Sequence, residues 1–317
     1  MRSVRVQAPA RLHLGFLDLN GGLNRRFGSI GLAIDAFATV VEVRKAASLI
    51  VRGPERERSI RLALRFAESL ELDCALELMI AEAIPAHAGL GSGTQLALAI
   101  ASAFRRSAGL PLDPPADARL LDRGSRSGVG AALFERGGLV VDAGRGPGTE
   151  MPPVIAHLPF PPDWRVLLLL DPRLKGAHGE QERRAFEALP EFPEPVAAEI
   201  CRRLVMQILP GVAERDFAAF GEGVAKIQER LGDHFAAAQG GGRFTSAVVG
   251  RVAKRLQECG ARGVGQSSWG ATGFAFAADP DEAAFLARRG RECDEAVETR
   301  IASALSRGAE ITEIAEV

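Results

Sequence analysis

Eleven residues constrain this chain more than any others: Pro85-Ala-His-Ala-Gly89-Leu90-Gly91-Ser92-Gly93-Thr94-Gln95. Before them, Leu76 to Ala81 reads as a strand, which Pro85 ends. After them, Leu96, Ala99, Ile100, Ala103 and Phe104 form one apolar stripe, so about Gly93 to Ser107 reads as a helix. Glycines in such a turn let the backbone approach an anion with no Cβ in the way. Ser92 and Thr94 can cap the helix or donate hydroxyl bonds. The amides of a helix start and its positive end favour phosphate. The Gly-Lys-Ser/Thr ending of a P-loop is missing, and the spacing is not GxGxxG. Gly89, Leu90, Gly91, Ser92, Gly93 and Thr94 are therefore candidate phosphate-binding residues. The competing reading is a plain glycine turn with an N-cap.

Around this loop the pattern is α+β. Ser3 to Gln7, Leu12 to Leu19, Ile30 to Ile34 and Thr39 to Arg44 read as short strands, and Leu139 to Asp142 as another. Gly144 to Pro162 is rich in Gly and Pro, the composition of a linker or long loop, and domains are expected at 1–150 and 151–317. Beyond it, Arg165 to Leu170 reads as a buried strand, and Phe217, Phe220, Val224, Ile227, Leu231 and Phe235 mark an amphipathic helix. Another helix carries Val249, Val252 and Leu256. A strand near Gly273 to Ala277, a helix from about Asp281 and a last strand near Glu298 to Ile301 follow.

Composition narrows the function classes. The net charge is −1, so no global basic field for nucleic acid exists. The longest strongly apolar run, Val166 to Leu170, is too short to cross a bilayer, and the first residues have no apolar signal region. Four cysteines stand far apart with no CxxC pair, against structural zinc or a disulfide framework. The expectation is a cytoplasmic protein acting on small molecules, with no membrane or nucleic-acid partner and homodimer formation left open.

The loop resembles the PxxxGLGSSxA motif of the GHMP kinase superfamily, with Gly93 in place of the second Ser. Pro9-Ala-Arg11-Leu-His13-Leu-Gly15 looks like the N-terminal motif of that superfamily. Gly265-Gln266-Ser267-Ser268-Trp269-Gly270-Ala-Thr272-Gly273 lies where its third, glycine-rich motif belongs. The resemblance implies an N-terminal domain like ribosomal protein S5 domain 2 and a ferredoxin-like C-terminal domain. One departure is chemical. Kinases of this kind carry S-G-V-D, whose Asp takes the proton of the substrate hydroxyl, whereas this chain reads Ser127-Gly128-Val129-Gly130. Glycine cannot accept a proton.

These departures resemble the β-ribofuranosylaminobenzene 5′-phosphate synthase branch of the superfamily. The blocks are Arg11 to Gly21, Ser29 to Asp35, Arg126 to Gly130 with Phe134 to Gly138, and Gly265 to Gly270. The resemblance implies a decarboxylating phosphoribosyltransferase. It would condense 5-phosphoribosyl 1-diphosphate with 4-aminobenzoate, releasing CO2 and diphosphate, in tetrahydromethanopterin biosynthesis. Mg2+ is expected with the diphosphate and PLP is not. The metal ligands are unassigned. The alternatives are an ATP-dependent small-molecule kinase with its base elsewhere, or a non-catalytic ligand-binding member of the fold.

For that reaction Asp18, Arg126 and Ser127 are the candidate catalytic residues. Arg11, His13, Asn20, Arg26, Arg123, Gln266, Ser267, Ser268 and Trp269 are the candidate substrate-binding residues. Guanidinium holds phosphate or carboxylate in a bidentate way, although most of the 35 arginines must be surface charges. Asp18 either holds Mg2+ or a ribose hydroxyl, or caps the turn before Asn20-Gly21-Gly22. His13 reads equally as functional or as a satisfied core residue. Trp269 could stack on the aminobenzoate ring. His178, within Lys175 to Glu182, reads better as part of a capped helix start than as a metal ligand.

Overall fold

The computed structural model describes residues 2–174, 176 and 184–315. Of the segment Lys175 to Glu182, only Gly176 falls among the described residues. The His178 reading therefore lies outside them.

The four strands expected from the first 45 residues are two long ones, β1 (Arg2–Asp18) and β2 (Phe27–Lys45), paired antiparallel. The chain runs through Pro9 because the register shifts between Pro9 and Ala10, and it shifts again between His13 and Gly15. Gly15 sits at φ +140, and a Cβ there would lie 2.8 Å from Leu231 Cδ1. Only glycine admits the helix that packs at this point. Leu12, His13 and Leu14 are all buried, since both faces of the strand are covered.

These strands anchor a sheet in the order β11-β1-β2-β4-β3, with β5 on β2 and β6 on β5. The others are β3 (Ile50–Arg52), β4 (Leu76–Glu82), β5 (Leu139–Asp142), β6 (Val154–Leu158) and β11 (Glu310–Ala315). A cut at residue 150 does not follow this sheet, because β6 and β11 both come from beyond it. The Gly/Pro-rich stretch expected as a linker or long loop contains β6. One face is covered by α1 (Arg56–Ser69) and α2 (Ser92–Ser107). In α2, Leu96, Ile100 and Phe104 are at most 2% exposed. Burying each of them contributes roughly 1.5–3 kcal/mol, which anchors the helix whose start bears the glycine loop. The short helices α3 (Pro114–Leu120) and α4 (Val129–Arg136) lie beside it.

The second sheet has β7 (Arg165–Leu170), β8 (Arg262–Gln266), β9 (Thr272–Ala277) and β10 (Glu298–Ser303) in the order β10-β7-β9-β8. With α8 (Ala247–Glu258) and α9 (Pro280–Cys293) on one face, the path is the βαββαβ of a ferredoxin-like domain. Its other face packs on α5 (Glu194–Arg203), a π-helical turn (Leu204–Ile208), α6 (Leu209–Ala213) and α7 (Phe217–Phe235). The far ends of β1 and β2 belong to the same core, so one apolar core joins the two halves. The fold is α+β, as the patterning predicts. Among the described residues, no helix is long and apolar enough to cross a membrane.

Candidate functional site

The glycine loop is held from below and from the side. Arg11 on β1 donates from Nη1 to Gly89 O (2.6 Å), and its backbone N–H donates to Leu90 O (3.1 Å). Ser267 Oγ donates to the same Gly89 oxygen (2.7 Å) and accepts from His13 N (3.0 Å). Gly89 and Gly270 meet so closely that a Cβ on either would collide with the backbone of the opposite loop. These two glycines therefore serve loop-to-loop packing. Arg11 and Ser267, expected to touch substrate, are loop supports here, and Ser267 is fully buried.

Gly91 is the N-cap of α2 at φ +85, and no side chain caps the helix. The bonding of the helix itself begins with the Thr94 and Gln95 N–H groups, both donating to Gly91 O (3.1 Å). The Ser92 and Gly93 amides stand ahead of it, at the positive end of the dipole. Two guanidinium groups converge there. A Cβ on Gly93 would collide with the Arg58 guanidinium and lie 3.4 Å from Arg123 Nη1. Burial and the neighbouring Arg58 charge both depress the Arg123 pKa, and its Nε is buried without a partner among the described residues. Two guanidinium groups beside the free amides of a helix start are an arrangement that favours an anion, although Arg58 also lies 3.6 Å from Glu55 Oε2. Arg123 was expected, but Arg58 was not, because nothing in its local sequence separates it from the other arginines.

Gly130 on α4 faces the same helix start. A Cβ there would lie 3.1 Å from Thr94 Cγ2, and the Gly130 carbonyl accepts from Gln95 Nε2 (3.0 Å). The position that the resemblance aligns with the kinase Asp thus abuts the glycine loop but carries no side chain.

A second cluster lies around a cavity of about 510 Å³, lined by Asn20, Arg26, Arg126, Phe186, Phe192 and His234 among others. Asn20 Nδ2 donates to Phe192 O (2.7 Å), and Arg26 Nη2 donates to Leu19 O (2.9 Å). Arg126 places its guanidinium 4.5 Å over the Phe186 ring. Of the two readings of Asp18, the structure shows the turn cap: Oδ1 accepts from Asn20 N (2.7 Å) and Gly21 N (3.1 Å). Ser127 turns its hydroxyl toward Asp142 Oδ2 (3.4 Å).

Asp142 itself went unpredicted. It is fully buried at the end of β5, accepting from Gly128 N (2.9 Å) and Gly144 N (2.7 Å). It thereby ties the Arg126–Ser127 loop to the sheet. Burial raises its pKa to about 6, against the hydrogen bonds that oppose the shift. The signal was available as an acid that ends an apolar strand just before Ala143-Gly144.

The third element is aromatic. His13, Phe16, Phe186, Leu231, Phe235, Ser268 and Trp269 line a small cavity of about 30 Å³. The Trp269 indole lies 4.5 Å from Phe186, tilted by 35°, and 5.0 Å from Phe235. His13 is buried edge-on to Phe16 at 4.6 Å, and desolvation lowers its pKa to about 3, so the imidazole is neutral. His13 Nε2 and Trp269 Nε1 are both buried with no partner among the described residues. Gln266 has no free polar group for a ligand: its amide donates to Gln239 Oε1 and Ser268 O and accepts from Thr245 N. It braces the loop that turns at Ser268, whose φ is +56.

Residues 58–138 match the GHMP kinases N terminal domain, and residues 208–296 match the GHMP kinases C terminal domain. A beta-ribofuranosylphenol 5'-phosphate synthase from Archaeoglobus fulgidus is 33% identical, over 97% of this chain and 99% of its own. Its namesake from Methanothermobacter thermautotrophicus is 29% identical over 84% of this chain and 86% of its own. Among solved structures, a homoserine kinase from Cytophaga hutchinsonii superposes with a TM-score of 0.69 at 18% identity, covering 98% of this chain and 97% of its own. Mevalonate diphosphate decarboxylase from Staphylococcus aureus gives 0.68 at 15% identity, covering 98% of each chain. Those two likenesses speak to the fold alone.

Proposed function

This chain belongs to the beta-ribofuranosylphenol 5'-phosphate synthase family within the GHMP kinase superfamily, and on that premise we propose that it joins 5-phosphoribosyl 1-diphosphate to a para-substituted benzoate, releasing diphosphate and CO2. The observation that carries the reading is Gly130 against Thr94: no side chain stands where the kinase base would, beside a helix start whose amides and neighbouring guanidinium groups favour an anion. Such a site can stabilise a leaving diphosphate, and that step needs no base.

The bond from the anomeric carbon to the diphosphate oxygen breaks, and its electron pair leaves with the diphosphate. Arg58, Arg123 and the Ser92 and Gly93 amides would take up the charge. Mg2+, bound to the same diphosphate, would neutralise part of it. Among the described residues there is no group of three or more His, Cys, Asp or Glu that could hold a metal ion. The ring carbon bearing the carboxylate attacks the anomeric carbon, driven by the para amine. Loss of CO2 returns its bonding pair to the ring and restores aromaticity. Direct displacement on the α-configured donor gives the β product.

The acceptor read from the sequence is 4-aminobenzoate. The relatives carry a name that says phenol, which favours 4-hydroxybenzoate as a second reading, since a hydroxyl pushes electrons to the same carbon. Incubation with phosphoribosyl diphosphate, Mg2+ and either carboxyl-labelled benzoate should release labelled CO2 in step with diphosphate. ADP formation from ATP with an alcohol acceptor, and no CO2, would overturn the proposal. The acceptor with the higher kcat/KM settles the para group.

The Trp269 indole should orient the ring. Stacking contributes about 0.5–1.5 kcal/mol beyond burial, so Trp269→Leu should weaken benzoate binding by up to about tenfold. Calorimetry with phosphoribosyl diphosphate should show less than a twofold change. Donor binding lost with benzoate binding kept would move Trp269 to the phosphate side.

A further inference from the structure

Phe186 has unusual company for a half-buried phenylalanine. The Trp269 indole lies 4.5 Å from it at a 35° tilt, and the Arg126 guanidinium lies 4.5 Å over its ring. Phe235 and Phe16 present edges to it at 5.7 and 6.1 Å. The ring is thus held between an indole and a cation, with aromatic edges around it. It also lines both the small aromatic cavity and the 510 Å³ cavity that holds Asn20, Arg26 and Arg126.

The rim of this slot does not match its occupant. His13 Nε2 and Trp269 Nε1, in the walls of the same small cavity, are buried without partners among the described residues. An unpaired buried polar atom is costly, and a benzyl ring can satisfy neither. An aromatic ring with polar substituents could satisfy both. A neutral imidazole offers an acceptor or a donor according to tautomer, and an indole N–H offers a donor.

We infer that Phe186 fills the subsite of the benzoate ring and must swing out for the acceptor to bind between Trp269 and Arg126. The inference rests on the reading of the reaction given above. The substrate ring has the size of the phenyl it replaces. Its polar ends supply what the slot lacks: the para amine or hydroxyl and the carboxylate can engage His13 Nε2 and Trp269 Nε1. Among the described residues, Phe186 lies in the helical stretch 184–187.

The test is calorimetric titration of 4-aminobenzoate and of 4-hydroxybenzoate into wild type, Phe186→Ala and Phe186→Leu, without donor. Circular dichroism and Tm verify folding, and the leucine variant serves if the alanine variant does not fold. Removing the phenyl should tighten at least one benzoate by tenfold or more, and adding Trp269→Leu should abolish that gain. A ring with only a packing role would leave affinity unchanged or lower it in the folded variants, and that result overturns the proposal. So does the absence of binding to every variant. CO2 release is measured separately on wild type. Tighter binding in the Phe186 variants without CO2 release from wild type would keep the subsite and discard the reaction. CO2 release from wild type with unchanged affinity in the variants would do the reverse.

Discussion

Gly93→Asp should make the protein more stable and nearly unable to bind phosphoribosyl diphosphate. The two effects share one cause. The new carboxylate would sit in the first turn of α2, which carries no acidic residue, between the Arg58 and Arg123 guanidinium groups. Its Cβ meets the flexible end of Arg58, which can move aside. A negative group at a helix start contributes about 0.3–1 kcal/mol, more when partly buried. Replacing glycine inside a helix lowers the entropy cost of ordering the backbone. A rise in Tm of a few degrees is expected.

The donor loses in proportion. Hydrogen bonds to charged groups contribute roughly 1.5–3 kcal/mol each, and the variant would occupy two guanidinium groups and add a repulsive charge. Affinity for Mg2+–phosphoribosyl diphosphate should fall by at least about 100-fold. Gly93→Ala is the control: it makes the same backbone change without the charge and should keep most of the binding. Equal loss in both variants would make the effect steric, and unchanged donor affinity in Gly93→Asp would place the diphosphate elsewhere. Gly91 is a poorer probe, because its φ of +85 and the Arg11 side chain beneath it would strain any replacement.

The contrast between Arg58 and the glycine loop shows what sequence can carry. The loop is visible because its information is local: three alternate glycines between a strand pattern and a helix pattern. Arg58 reaches the site from another helix, and no residue near it in sequence marks that contact. Gln266 and Ser267 show the opposite limit. Amides and hydroxyls suit a ligand or a neighbouring loop equally well, and here the loops take them. Pro9 reads as a strand break, yet β1 continues through it with a shift of register. Phe186 lies outside every motif, and only the packing of Trp269 and Arg126 around it reveals the slot.

His13 and Asp142 set the remaining expectation, which concerns pH. The folded pKa of His13 is depressed from 6.5 to about 3. The unfolded chain then binds the extra proton between those values, and the contribution present above pH 6.5 is lost as pH falls. Asp142 runs the other way. Its pKa is raised from 3.8 to about 6, so the folded state binds the proton more tightly, and stability is regained as pH falls through 6. At 1.36 kcal/mol per pH unit, acidification to about pH 4.5 costs about 3 kcal/mol through His13 and returns about 2 through Asp142. The two nearly cancel in the wild type.

Removing either group should expose the other. His13→Phe keeps the backbone bond to Ser267 and adds no ionisable group beside Phe16. Relative to wild type, it should gain about 3 kcal/mol between pH 7 and 4.5 in urea titrations at fixed temperature. Asp142→Asn should lose about 2 kcal/mol over the same interval, whatever its stability at neutral pH. Partly buried carboxylates with lowered pKa values, such as Glu77 and Glu199, also lose stability in acid, but equally in all three proteins, so the differences isolate His13 and Asp142. Parallel pH profiles for wild type and His13→Phe would mean that folding does not depress the His13 pKa, so that the imidazole is protonated as easily in the folded as in the unfolded chain.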